Sequence, residues 1–226
     1  MPLEPKLVIF DCDGVLVDSE PISVSVLVDH LSKAGAGLRE SDAYRLFLGR
    51  SMASIEVLLK RDFGLTLTRE HLDDIRTETF SRFRAALRPV PGVAETLPRL
   101  PRCCVASSSG LDRIRLSLSL TGLLEMLEPH IYSASMVARG KPAPDLFLHA
   151  AREMGVRQED CVVVEDSPAG IDAAKRAGMR VFAFTGGSHA LDARLADVLT
   201  SLKPDAVFSD MTQLPDLLAR KGGRAA

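Results

Sequence analysis

Asp11 and Asp13 stand one residue apart at the end of an apolar run, Leu7 to Phe10, in the segment Asp11-Cys12-Asp13-Gly14-Val15. Alternate residues on a strand face the same way, so both carboxylates can converge just past its end while Cys12 points elsewhere. Gly14 lets the backbone turn sharply there. Taken alone, such a pair also serves simply to open a turn. A second acidic cluster, Val164-Glu165-Asp166-Ser167-Pro168, ends another apolar run. Here Asp166 or Ser167 would equally suit as the cap of a helix starting at Pro168. Up to four carboxylates at one sheet edge repel one another unless a cation intervenes. Hard oxygen donors without histidine or cysteine suit Mg²⁺.

Two further segments complete a set. In Ala106-Ser107-Ser108-Ser109-Gly110, hydroxyls and free N–H groups ahead of a helix offer either an anion site or an ordinary serine-rich cap. The spacing is not that of a nucleophile elbow, because the glycine two residues before the serine is missing. In Arg139-Gly140-Lys141-Pro142-Ala143-Pro144, the prolines restrict the chain and can aim Lys141 into a cleft; the alternative is a solvated turn lysine. A carboxylate nucleophile, a second carboxylate, hydroxyls, an amine and a metal pair form the equipment of phosphoryl transfer. Attack by Asp11 on a phosphate dianion sets one charge against two. At about 4 Å and an effective dielectric near 20, that repulsion is roughly 8 kcal/mol. A divalent cation with Lys141 can offset it, and a lone hydrogen bond cannot.

The elements that must position these residues are short apolar runs: Leu7 to Phe10, Cys103 to Ala106, Ile131 to Ser133, Cys161 to Val164, Val181 to Phe184 and Ala206 to Phe208. Their continuous rather than alternating apolar character suits parallel strands covered on both faces. Helical segments lie between most of them, Pro144 to Met154 and Pro168 to Ala177 among them, with proline at the first turn and glycine past the last. The alternation predicts a doubly wound α/β sheet. From Glu20 to Arg88 it breaks. Ile55, Leu58, Leu59 and Phe63 repeat at helical spacing, as do Leu72, Ile75, Thr79, Phe83 and Leu87, and Pro89-Val90-Pro91-Gly92 closes the interval. The expected organisation is a core of residues 1–19 and 89–226 with an all-helical insert over 20–88.

The chain has 226 residues, 46% of them hydrophobic and 26% charged, with a formal net charge of −2. That balance leaves no electrostatic footprint for nucleic acid or an anionic membrane. No apolar run approaches a bilayer span, and Met1 to Lys6 lacks the layout of a secretory signal, so a cytoplasmic location is expected. Cys12, Cys103, Cys104 and Cys161 form no C-x-x-C pair and read as small buried hydrophobes. His30, His71, His130 and His149 show no metal spacing, and Thr185-Gly186-Gly187-Ser188-His189 reads as a plain turn. Lys221 to Ala226 reads as a frayed tail.

At Asp11-Cys12-Asp13-Gly14-Val15, Ser107, Lys141-Pro142 and Glu165-Asp166 the sequence resembles the haloacid dehalogenase-like superfamily, whose four motifs appear in order. Within it, the chain looks most like the subgroup of β-phosphoglucomutase and sugar-phosphate phosphatases. The resemblance implies a Rossmann-like core with a helical cap. It implies Asp11 as a nucleophile forming an aspartyl phosphate, and Asp13 as general acid and then base, with its backbone carbonyl on Mg²⁺. It further implies Asp11, Asp166 and Glu165 as metal ligands, Ser107 and Ser108 holding phosphate, and Lys141 bridging phosphate and nucleophile. Glu20, Arg50 and Ser51 are expected to face the substrate from the cap. Donating a proton would need a raised Asp13 pKa, and neighbouring carboxylates and closure of the cap, which excludes water, are expected to raise it. In this resemblance the mutase's cap histidine and arginine fall at Ser23 and Met52, with Arg50 nearby. The expectation is therefore a Mg²⁺-dependent hydrolase of a small phosphorylated sugar or related metabolite, monomeric or weakly dimeric, with no nucleic-acid or membrane partner. A phosphosugar mutase is the nearest alternative, and a non-catalytic binding protein on the same fold the alternative of another class.

Overall fold

The computed structural model describes residues 5–190 and 195–219. Most of the N-terminal stretch and the expected tail at Lys221 to Ala226 lie outside those residues. Strands β1 (Leu7–Phe10), β2 (Arg102–Ser107), β3 (Ile131–Ser133), β4 (Cys161–Glu165), β5 (Arg180–Phe184) and β6 (Ala206–Phe208) form one parallel sheet in the order β3-β2-β1-β4-β5-β6. Each apolar run is a strand, with β4 and β5 one residue longer at one end than the sequence suggested and β2 one residue longer at each end. The extension of β2 makes Ser107 its last residue, and that of β4 makes Glu165 its last.

The continuous apolar character of β1 has a direct cause. Leu7 and Ile9 enter one core layer and Val8 and Phe10 the other, so both faces are covered. Register then aligns the strand ends. Phe10 sits beside Val105 of β2 on one side and Val164 of β4 on the other. The residues that follow, Asp11, Ser107 and Glu165, therefore emerge at one edge, where the strand order reverses about β1 and β4. Open α/β sheets bind their ligands at such an edge.

Helices α1 (Glu20–Lys33), α2 (Glu40–Phe47), α3 (Met52–Phe63) and α4 (Arg69–Ala86) fill the interval between β1 and β2. Local sequence sets their limits. The Ser51 hydroxyl accepts from Ser54 N at the start of α3, and Gly64 ends that helix at φ +64°; Thr68 and His71 form a reciprocal capping box on α4. Ile75, Thr79 and Phe83 are buried as their spacing predicted. Phe63 differs: it is 42% exposed. Helical spacing tells which face a residue shares, and not how far along that face the neighbouring elements reach. The segments before α1 and after α4 run side by side, with Asp18 N donating to Arg88 O at 3.0 Å.

The remaining helices are α5 (Val93–Thr96), α6 (Leu111–Leu120), α7 (Leu124–Leu127), α8 (Asp145–Glu153), α9 (Pro168–Arg176), α10 (Leu195–Ser201) and α11 (Leu214–Ala219). Pro144 and Ser167 stand at the N-caps of α8 and α9. Cys12, Cys104 and Cys161 are buried, Cys103 is half-buried, and none is in a disulfide. No helix among the described residues is long and apolar enough to cross a membrane.

Candidate active site

Lys141 is the centre of the site. Its side chain is fully buried, and Nζ donates to Asp11 Oδ1 at 2.8 Å and to Glu165 Oε1 at 2.6 Å. Burial opposes its charge, but the two carboxylates outweigh burial and hold the ammonium above its ordinary range. The second Glu165 oxygen, Oε2, accepts from Ser167 N and Ser167 Oγ, both at 2.8 Å. Ser167 Oγ in turn accepts from Gly170 N, capping α9. Ser167 is thus the cap, and Asp166 is free of that duty.

Asp11, Glu165 and Asp166 each present a carboxylate oxygen within 4.8 Å of the other two. Both Asp166 oxygens are buried and lack a hydrogen-bond donor among the described residues. His189 Nε2 lies 3.1 Å from Asp166 Oδ2 without making a hydrogen bond. Burial first, then the neighbouring carboxylates, push the Asp11 and Asp166 pKa values well up, with Lys141 opposing. Buried, orphaned, mutually repelling oxygens fit a divalent cation. Space here is tight: Gly14 has φ +76°, and a Cβ on it would run into Asp166 Oδ2.

Asp13 faces the other way. Its Oδ1 accepts from Ser19 Oγ at 2.6 Å and Arg113 Nη2 at 2.7 Å; its Oδ2 accepts from Ser109 Oγ at 2.6 Å and Ser107 Oγ at 3.5 Å. Burial alone would raise its pKa, yet Arg113 and the serine donors hold the carboxyl below the usual range. This corrects the expectation that neighbouring carboxylates raise it, since those donors outweigh them. The Asp13 carboxylate also lies outside the three-carboxylate cluster.

A cavity of about 340 Å³ runs from Asp11 and Asp13 up between α1, α3, α4 and α6. Ser107, Ser108, Glu20 and Arg50 line it as expected. Ser108 Oγ is already committed to Gly49 O at 2.9 Å. Ser51 caps α3 and lines a neighbouring cavity together with Ser108, Ser109, Gly140 and Lys141. Arg113 was missed by sequence reading. It stands in the first turn of α6, with Nη2 also 2.8 Å from Ser23 Oγ and its guanidinium 5.0 Å over the Phe83 ring. His189 was missed too. It is buried rather than a plain turn residue, and it stacks on Tyr44.

Glu20 sets a measurable pH dependence. Burial first, then Asp13 and Asp166, push its pKa from 4.5 to about 8. The folded state therefore holds a proton that the unfolded chain releases, so stability is greatest below the unfolded pKa and falls as pH rises through the folded one. Glu20→Gln removes that loss. Thermal or urea unfolding of the metal-free protein is expected to show the variant more stable than the parent at pH 9 by a few kcal/mol, since one pKa unit is ~1.36 kcal/mol. Parallel stability–pH curves for the two would contradict it.

The sequence pattern of the haloacid dehalogenase-like hydrolases matches residues 5–178. The chain belongs to that family. It is 30% identical over 219 residues to the 6-phosphogluconate phosphatase of Escherichia coli, covering 96% of each chain. Among solved structures, a conserved haloacid dehalogenase-like protein of unknown function from Agrobacterium tumefaciens superposes with a TM-score of 0.79 at 37% identity, over 95% of this chain and 97% of that one. A family hydrolase from Deinococcus radiodurans, solved with bound phosphate and sodium, superposes with a TM-score of 0.73 at 31% identity over 96% of both chains. The family match brings the four motif segments, read separately in the sequence, under one hydrolase fold.

Proposed function

We propose that this chain is a Mg²⁺-dependent phosphatase that hydrolyses a small phosphorylated metabolite, a sugar phosphate or a related compound, through an aspartyl phosphate. The observation that carries the reading is the double position of Asp11. Among the described residues it is the carboxylate common to the three-carboxylate cluster and to the cavity wall. The names of the relatives, a 6-phosphogluconate phosphatase, a probable pseudouridine-5′-phosphatase and a hexitol phosphatase A among them, support a small phosphorylated metabolite as substrate and no one kind of alcohol.

Each residue has a task set by its contacts. Asp11 attacks phosphorus with the oxygen not held by Lys141, forming a new oxygen–phosphorus bond as the ester oxygen–phosphorus bond breaks. Lys141 keeps Asp11 aimed and neutralises charge beside it. Ser107, at the end of β2, and the N–H groups that follow receive the phosphoryl oxygens. Asp13 is held as the anion, the form a base needs to deprotonate the water that later releases phosphate. Its earlier task needs the protonated form: arriving substrate that displaces the hydrogen bonds from Arg113 and the serines lets the carboxyl pKa rise, Asp13 takes a proton from solvent, and it passes that proton to the departing alkoxide, returning to the anion. Asp11, Asp166 and Glu165, with the main-chain carbonyl of Asp13, would hold Mg²⁺, which when bound offsets phosphate charge against Asp11. Hydrolysis is favoured over mutase chemistry because Ser23, at the position of the mutase's histidine, is already engaged by Arg113 and donates to Ser19 O.

Release of inorganic phosphate from p-nitrophenyl phosphate and a sugar-phosphate panel, with and without Mg²⁺, tests this reading. Isomer formation without phosphate release would replace it with the mutase. The metal site has its own readout. Millimolar Mg²⁺ without substrate is expected to raise the melting temperature, because a ligand of the folded state stabilises it. Asp166→Asn should cancel most of that rise, and an undiminished rise would remove Asp166 from the ligand set.

A further inference from the structure

The cavity above Asp11 is walled by Leu27, Phe47, Ile55, Leu72, Ile75 and Phe80, drawn from all four helices of the insert. Leu27, Phe47, Ile55 and Ile75 are buried, and Leu72 and Phe80 are half-buried. These side chains offer no hydrogen bond. The polar groups at the same cavity are largely spoken for. Arg113 serves Asp13 and Ser23, Arg76 pairs with Asp112 across the α4–α6 boundary, and Ser108 and Ser109 serve Gly49 O and Asp13. Glu20, Arg50, Asp73 and Thr79 make no side-chain hydrogen bond or ion pair with the described residues and remain available.

A polyhydroxylated alcohol enclosed here would bury one hydroxyl after another against carbon, each losing its water without gaining a partner. An apolar body loses nothing by the same transfer and buries wall surface besides. A volume of about 340 Å³ is ample for such a body, at the lower end of what small-molecule sites provide. Resting on the phosphatase reading above, we infer that the preferred substrate is a phosphate monoester whose alcohol carries an apolar or aromatic ring beyond the ester, with no more than a few polar groups. The ring lies between α1, α3 and α4, and Glu20 and Arg50 meet the polar groups nearest to it. A sugar phosphate bearing a flat heterocycle belongs to this class, and an open-chain polyol phosphate does not.

Matched pairs decide it. Uridine 5′-monophosphate is compared with ribose 5-phosphate, and benzyl phosphate with glycerol phosphate, using the full chain with Mg²⁺ and reading kcat/KM from phosphate release. The ring-bearing member of each pair is expected to be favoured at least tenfold. Equal rates, or preference for the ring-free members, would overturn the inference while leaving a working phosphatase. No release from any compound, p-nitrophenyl phosphate included, would overturn the phosphatase reading and the inference together. The Leu72→Ser/Phe80→Ser double variant, checked for folding by circular dichroism, is expected to bring both ratios toward one. A folded variant that keeps the parent ratios would also overturn the inference. Should it fail to fold, the parent's ratios still decide.

Discussion

Asp11→Asn is expected to lower phosphate release by more than a thousandfold, about 4 kcal/mol of transition-state stabilisation, and to leave the fold intact. The amide has no nucleophilic carboxylate oxygen, so the covalent route closes. It does keep the size of the side chain, and its Oδ1 can still accept from Lys141. Removing the charge costs the fold little, because Lys141 keeps its ion pair with Glu165 at 2.6 Å. Circular dichroism and a melting curve close to the parent's should therefore accompany the lost activity. Residual turnover above about a thousandth would take the nucleophilic role from Asp11. Loss of the folded signal would instead show that the carboxylate is structural.

What could be seen in the sequence was local or periodic. The buried strands announced themselves by unbroken valine, isoleucine and phenylalanine, and parallel register then forced Asp11, Ser107 and Glu165 to one edge. Lys141 was legible because two prolines, Pro142 and Pro144, follow it closely. What stayed hidden is what only packing creates. Arg113 looks like any charged residue in an amphipathic helix, yet it meets Asp13 across 100 residues of sequence. That meeting reverses the direction in which the Asp13 pKa was expected to move. His189 sits in a glycine-rich loop that gives no hint of burial, and only the β5 edge brings it to Asp166 and Tyr44. Nothing in the sequence reading marked Ser51 as the cap of α3, a position that fixes where its hydroxyl points. Of the apolar lining of the cavity, Ile55, Leu72 and Ile75 were present in the helical periodicity, but periodicity does not tell a residue facing the core from one facing a cavity inside it.

Lys141→Met should be the most damaging single change to stability as well as to turnover. Methionine matches the length of the side chain and fills its space beside Phe147, whose ring lies 4.9 Å from Nζ. Packing is therefore largely kept and the charge alone is lost. Asp11 and Glu165 then remain buried with no cation between them, which costs about 3–5 kcal/mol when one partner of a buried pair is removed. For a chain of this length that corresponds to a fall of roughly 10 °C in melting temperature without metal. Adding Glu165→Gln to the same chain removes one of the stranded charges, so the double variant should recover part of the loss while staying inactive. A double-mutant cycle on melting temperature measures that coupling, which is expected to exceed 1 kcal/mol. Additive losses would mean that Lys141 does not neutralise Glu165. A Lys141→Met protein that melts with the parent would mean that the carboxylate cluster is neutral without its lysine. The electrostatic account of how Asp11 is kept ready to attack phosphate would then fall.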